Sequence, residues 1–273
     1  MGWKDQLDPR LPVWRDFDCW LARLPDDRFP NCRDLNKLLS DDLTNQNGKR
    51  LVFRNSETLE PESYEHRIFT SGEISTRPDN WHDLFNALIW LRYPEIKSAL
   101  NALHHQAGSA SATGFRGPAR DAYTLFDECG VIVYSTQTAP LQALSRRDWQ
   151  QAFTDDTAEL WGTTVHAAIF GHAMLEKYLN PYKSMTAKAV LVEIDAASGC
   201  LNRETNIRML DHYLAEQLEN TSLLSNPVEL TPLPLAGIPG WWTSTSQSPD
   251  FYADHKVFRA PPADFAAATI LKS

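Results

Sequence analysis

Tyr123-Thr124-Leu125-Phe126-Asp127-Glu128-Cys129-Gly130-Val131-Ile132-Val133-Tyr134 is the stretch on which the fold class turns. Two short runs rich in aromatic and β-branched residues, 123–126 and 131–134, flank Asp-Glu-Cys-Gly, a pattern that predicts a β-hairpin. Gly130 would supply the positive φ that a tight hairpin turn requires, with Asp127 and Glu128 in or beside the turn. A second hairpin is expected from the alternation over residues 64–76, turning at Ser71-Gly72. Hairpins in these places break the regular strand–helix–strand alternation of a doubly wound sheet, so the reading is α+β.

Outward from this stretch the chain is mainly helical. A helical pattern runs from about Asn80 to His105, with Pro78 before it, Asp79 or Asn80 as cap, and Asp83 three residues after Asn80. Pro94 lies in its middle, so the segment is either one kinked helix or two abutting ones. Residues 155–179 give the strongest helical pattern and 204–220 another, while 186–194 is an apolar, valine-rich strand. Two short helices are expected at 13–24 and 32–43, with a polar loop at 41–55. The small residues of 107–118 predict a loop able to act as a lid. Seven prolines between Pro227 and Pro262 predict an extended C-terminal wrap. The expected architecture is a mainly helical α+β single domain with two β-hairpins, one further strand and that Pro-rich wrap. Residues 1–63 are read as a helical and loop extension packed on a main domain of 64–273.

The chain has 273 residues, 42% of them hydrophobic and 22% charged, enough to bury a sizeable core. A formal charge of −9 opposes sequence-blind nucleic-acid binding, which rests on Lys and Arg neutralising phosphates. The four cysteines form no Cys-x-x-Cys and no zinc-finger spacing, and four scattered cysteines fit a reducing compartment. The start, Met1 to Gln6, has no apolar secretory core, and the longest apolar runs are far too short to span a bilayer. The expectation is a cytoplasmic protein with no membrane and no nucleic-acid partner. There is no Gly-x-Ser-x-Gly elbow, no phosphate loop, no dinucleotide fingerprint and no His-Glu-x-x-His.

Three groups of residues could carry chemistry. In Arg77-Pro78-Asp79-Asn80-Trp81-His82-Asp83-Leu84-Phe85-Asn86, His82 and Asn86 share a helix face, and the helix start keeps His82 neutral. The competing reading makes Asn80 and Asp83 caps and gives Asp83, Asn86, Lys97 and Asn101 a solvated stripe, on which Trp90 would be out of place. Arg120-Asp121 and Asp127-Glu128 form the second group, with ordinary turn chemistry as the plain alternative. The third is His172-Ala173-Met174-Leu175-Glu176, where both polar residues fall on the apolar stripe of the expected helix. A carboxylate on a buried face must be paired, neutralised or bound to something, and an internal His172–Glu176 bond is the plain solution. The aromatics of Gly237–Trp242 and Phe251–Phe258 are read as anchors for the tail or as a self-association surface, with Asp254 a spare carboxylate; His104-His105 belong to a helix end.

The run Arg77, Asn80-Trp81-His82-Asp83-Leu84-Phe85-Asn86, Trp90, Pro94 and Lys97 resembles the signature of the bacterial domain of unknown function numbered 3025. Arg120-Asp121 with Phe126-Asp127-Glu128-x-Gly130 is similar to its next block. His172-x-x-x-Glu176-Lys177, Gly237-x-Pro239-Gly240-Trp241 and Phe251-Tyr252-x-Asp254 follow in the same order. The resemblance covers residues 60–260 and implies a bacterial, cytoplasmic protein; it supplies no activity.

The residues themselves suggest an enzyme gathering His82, Asp83 and Asn86 with Asp127, His172 and Glu176. His82, His172 and Glu176 would hold a divalent metal for metal-assisted hydrolysis. Arg77, Trp81, Trp90, Lys97 and Arg120 would bind a small anionic substrate. The alternative is a non-catalytic structural, ligand-binding or interaction protein, a homo-oligomer among the options. Its motif residues would be caps and buried hydrogen-bond networks. Separation in space decides between them: beyond about 12 Å, metal bonds near 2 Å would forbid an ion shared by His82 and His172.

Overall fold

A computed structural model of the chain describes residues 2–110, 117–195, 202–220, 223–263 and 265–273. Two small sheets sit among helices, and one contiguous apolar core runs through the whole, so the α+β, mainly helical single-domain reading holds. Strand β1 (Val52–Asn55) pairs in parallel with β2 (Glu73–Thr76). The larger sheet contains β3 (Gly130–Ser135), β4 (Val165–Ile169), β5 (Thr186–Glu193), β6 (Thr231–Pro234) and β7 (Ile270–Lys272). β5 lies at its centre, parallel to β3 on one side; β6 and β7 share its other edge, at opposite ends. Ala189 to Val192 are buried on both faces, which is why that strand reads as an unbroken apolar run.

Neither expected hairpin forms among the described residues. Residues 64–71 are helix α3 (Tyr64–Ser71), ended by Gly72 at φ 75°, and only Glu73–Thr76 is strand. The decisive stretch is helix then strand. The helix starts at Pro118, buries Ala122 and Phe126 at i and i+4, and ends at Cys129, where β3 begins. Gly130 has φ −68°, so positive φ is not its purpose. A Cβ there would lie 2.3 Å from the Phe126 carbonyl oxygen; glycine is required because the chain turns back against its own helix. The long helix expected over 155–179 is also replaced, by a short helix over Asp155–Leu160, then β4, then a helix over His172–Lys177. Gly162, Gly171 and the Thr-Thr-Val stretch break the helical pattern.

The segment around Pro94 is two abutting helices, α4 (Trp81–Arg92) and α5 (Pro94–Ala110). Asn80 caps α4 by accepting the Asp83 N–H at 3.0 Å, and Pro94 takes the first position of α5, where no N–H is needed. In order after them we number α6 (Pro118–Cys129), α7 (His172–Lys177) and α8 (Arg203–Asn220). Asp211 on α8 caps α5 from outside, accepting the N–H groups of Glu95 and Ile96 at 3.1 and 2.9 Å. Part of the expected 107–118 loop is the end of α5, and residues 111–116 lie outside the described residues. The expected helices at 13–24 and 32–43 shrink to single turns, a 3₁₀ turn at Pro12–Asp16 followed by α1 (Asp18–Leu21), and α2 (Cys32–Asn36), and the 41–55 loop gives way to β1 from Val52. The C-terminal wrap contributes β6, β7 and single helical turns at Pro227–Glu229, Leu235–Gly237 and Pro249–Tyr252, and Trp241, Phe251, Tyr252 and Phe258 are buried in the core. Asp254 is paired with Lys183 at 2.7 Å.

Candidate metal centre

Three helix ends meet at one point. His82 is the second residue of α4, Glu128 sits in the last turn of α6, and His172 is the first residue of α7. The meeting of α6 and α7 is fixed by glycine. The Gly171 N–H donates to the Gly130 carbonyl at 2.8 Å, and a Cβ on Gly171 would stand 2.4 Å from the Gly130 nitrogen and 2.5 Å from the Glu128 carbonyl oxygen. Backbone contact this close carries Glu128 and His172 onto the start of α4.

His82 Nε2 and His172 Nε2 are 3.0 Å apart. Oε2 of Glu128 is 3.5 Å from His172 Nε2 and 4.0 Å from His82 Nε2. A triangle with those sides has a circumradius of about 2.1 Å, which is the length of a Zn–N or Zn–O bond. Each residue thus offers one ligand atom to a common point. The second ring nitrogen of His82, Nδ1, lies 3.0 Å from Oε2 of Glu176. A proton on Nδ1 donated to that carboxylate leaves the Nε2 lone pair facing the common point. Burial pushes the His172 imidazole down to about 4 against the opposing pull of Asp127, so this ring is neutral near pH 7 and can also offer a lone pair. Glu128 is the carboxylate of the group without a cationic side chain of its own, and burial together with adjacent Asp127 raises its carboxyl above the ordinary range.

Beneath the histidines lies a buried network. Lys97, 4% exposed, donates to Asp127 Oδ1 at 2.6 Å and to Asn86 Oδ1 at 3.0 Å. The Asn86 amide nitrogen is 2.6 Å from the Tyr64 hydroxyl. Asp127 Oδ2 is 3.9 Å from Nδ1 of His172, and that nitrogen is buried with no hydrogen-bond partner. A cleft of about 380 Å³ opens above, with Arg77, Glu65, Ser56 and Ser75 on its walls. Arg77 is clamped to Asp83 by its main-chain N–H at 2.6 Å, Nε at 3.0 Å and Nη2 at 2.7 Å.

Of the residues expected at a site, His82, Asp83, Asn86, Asp127, His172, Glu176 and Arg77 come together, across a chain separation of more than 90 residues. Several take other roles. Glu176 reaches His82 on its Nδ1 edge, away from His172, and it is Glu128 whose Oε2 faces the two Nε2 atoms. Trp81 packs on Trp3, Phe29 and Phe85, and Trp90 is 1% exposed with Lys97 Nζ 5.3 Å from its ring; neither lines the cleft. Lys97 is closed off beneath Asp127, and Arg120 lies outside the cleft wall. The expected solvated stripe is buried, since Asn86, Lys97 and Asn101 are all core residues. Tyr64, Glu65 and Glu128 were masked in the sequence by the hairpin readings, which put them in a strand and a turn.

The family described as Protein of unknown function (DUF3025) matches residues 50–261 of this chain, a span that includes the whole centre. The chain belongs to that family. No curated protein and no solved structure matches it. Among the described residues of this DUF3025 protein, no helix is long and apolar enough to cross a membrane.

Proposed function

We propose that this DUF3025 protein is a metal-dependent hydrolase of a small anionic substrate, with His82, His172 and Glu128 as the ligands of one divalent cation. The observation that carries the reading is the 3.0, 3.5 and 4.0 Å triangle of neutral or anionic donor atoms at the foot of a cleft. Two imidazoles and one carboxylate suit a borderline cation such as Zn²⁺, and three protein ligands leave a position for water. Such an ion lowers the pKa of its water and polarises the bond to be cut. Glu176 orients His82, as a carboxylate behind a ligating imidazole commonly does. Asp127, neutralised by Lys97, stands behind His172. Arg77, held on the cleft wall by Asp83, supports the anionic substrate.

The test is calorimetric titration of the metal-stripped protein with Zn²⁺ and with Mn²⁺. Turnover of 4-nitrophenyl phosphate and of the 4-nitrophenyl monoester of succinic acid is then measured on the loaded protein. One ion per chain is expected, lost in folded His172→Ala and Glu128→Gln variants, together with metal-dependent hydrolysis of one of the two esters. Absence of binding in the parent, or binding retained by both variants, overturns the metal centre. Binding without turnover of either ester leaves a non-catalytic metalloprotein.

A further inference from the structure

We infer that Glu65 is the proton shuttle of the cleft: its carboxylate takes a proton from the attacking water and delivers it to the leaving atom. This rests on the hydrolase reading above and adds a residue that the ligand set does not contain. The other cleft carboxylates are committed. Asp83 is held by Arg77, Asp127 by Lys97, and Glu128 belongs to the proposed ligand triangle; Glu176, outside the cleft lining, is held by His82. Among the described residues, Glu65 alone of the carboxylates lining the cleft has neither a cationic side-chain partner nor a place in that triangle.

Its geometry suits proton transfer. Glu65 lies in the first turn of α3, beside Tyr64, and both line the cleft with His82, Glu128 and His172. The Asn101 amide nitrogen donates to the Glu65 main-chain carbonyl at 2.9 Å and to its Oε2 at 2.6 Å. The main-chain contact fixes which end of the Asn101 amide faces Glu65, so Oε2 is held as an acceptor and Oε1 is the oxygen left to take up and release a proton. Burial, with Asp127 adding to it, raises this carboxyl to about 7 against the opposing pull of the Asn101 bond, Lys97 and Arg120. Those groups come from α5 and α6, the helices that supply its charged surroundings. A group balanced near neutrality can serve as base and then as acid in one turnover. As the water oxygen bonds to the carbonyl or phosphoryl centre, one of its protons passes to Glu65. As the bond from that centre to the leaving oxygen breaks, Glu65 returns the proton to that oxygen, and the second water proton stays with the product acid.

The experiment compares the parent with Glu65→Gln on two versions of the ester that the loaded parent turns over. One has 4-nitrophenol as leaving group, which departs without a proton, and the other has phenol, which needs one. Glu65→Gln should bind Zn²⁺ with parental affinity. At pH 6 the parent should show infrared carbonyl bands of protonated carboxylic acids, and the variant should lack one of them while keeping that of Asp211. The phenyl ester rate should fall by about 100-fold or more, with a much smaller loss on the 4-nitrophenyl ester. Equal losses on both esters, no loss, or no infrared change overturn the assignment while leaving the metal centre intact. A parent that binds no Zn²⁺ or turns over no ester overturns both readings together. Should Glu65→Gln fail to fold, Glu65→Asp retains the acid on a shorter arm, and the same leaving-group bias is expected in milder form; its absence overturns the assignment.

Discussion

Replacing Lys97 by Met should be among the most damaging single changes in this protein. The Lys97 ammonium is almost wholly buried, 2.6 Å from one Asp127 oxygen and 3.0 Å from the Asn86 side-chain oxygen. Burial alone would raise the Asp127 carboxyl, but the Lys97 charge, helped by His172, outweighs it and holds the group below the ordinary carboxylate range. Removing the ammonium leaves an uncompensated buried carboxylate, a change that costs about 3–5 kcal/mol. At about 2–4 °C per kcal/mol for a domain of this size, Lys97→Met should melt about 6–20 °C below the parent at pH 7. The double variant Lys97→Met, Asp127→Asn removes the orphaned charge and should recover half or more of the loss. Because the folded-state Asp127 is depressed, the stabilisation is present at neutral pH and is lost as pH falls through that depressed value. In Lys97→Met the same carboxyl is raised by burial, so the deficit between variant and parent should narrow as pH is lowered from 7 towards 4. Thermal and urea melts of the three proteins at several pH values measure each quantity. A single-variant loss below about 1 kcal/mol, or a double variant no better than the single, would refute the reasoning.

Further expectations follow from the same geometry. Gly171→Ala places a methyl against main-chain atoms of Glu128 and Gly130, so it should cost about 1–3 kcal/mol and weaken Zn²⁺ binding by moving His172 from Glu128; melting and calorimetry read the two effects. Glu176→Gln leaves all three proposed ligands in place but weakens the hold on His82, so Zn²⁺ affinity should fall about 10–100-fold rather than vanish. Burial pushes Asp211 up to about 7 against the N–H groups of Ile96 and Glu95. Its contribution is therefore full below about pH 4 and is lost as pH rises through 7, and Asp211→Asn should flatten the stability profile between about pH 4 and 7.

What the sequence made legible was the helical inventory around α4, α5 and α8, the central strand β5, and most of the site residues. Those elements carry their own local signals: Asn80 as a cap, Pro94 as a break, an unbroken valine-rich run. The errors share one physical origin. Residues 123–126 and 64–70 contain aromatic and β-branched side chains that fit a pleated surface, yet in each case the helix is set by what it packs on. Ala122 and Phe126 at i and i+4, with Pro118 before and Gly130 after, were the counter-signal in the first case. In 155–179 the apolar positions fell on one side of a helical wheel although Val165 and Ala168 belong to a strand and His172 to the next helix. Glu128 and Glu65 went unrecognised because their roles depend on partners far along the chain: His172 for one, Asn101 for the other.

The position of Asp127 makes physical sense only together with the two histidines. With no ion, the facing Nε2 atoms require a proton between them, and since His82 carries its own on Nδ1 towards Glu176, the shared proton must come from His172. In the proposed metal-bound state the His172 Nε2 lone pair would face the ion, and the ring's proton would sit on Nδ1 instead. That nitrogen is buried on the Asp127 side of the ring, with Asp127 Oδ2 3.9 Å away and the Asp127 main chain also favouring a proton on the ring. A charged carboxylate kept ionised by Lys97 is therefore poised to receive the relocated N–H, at the small cost of closing the gap to hydrogen-bond distance. On this view the Lys97–Asp127 pair is the counterpart for His172 of what Glu176 is for His82. The Lys97–Asp127–His172 arrangement and the Glu176–His82 contact are two supports of one centre, built from helices that meet where Gly130 and Gly171 touch.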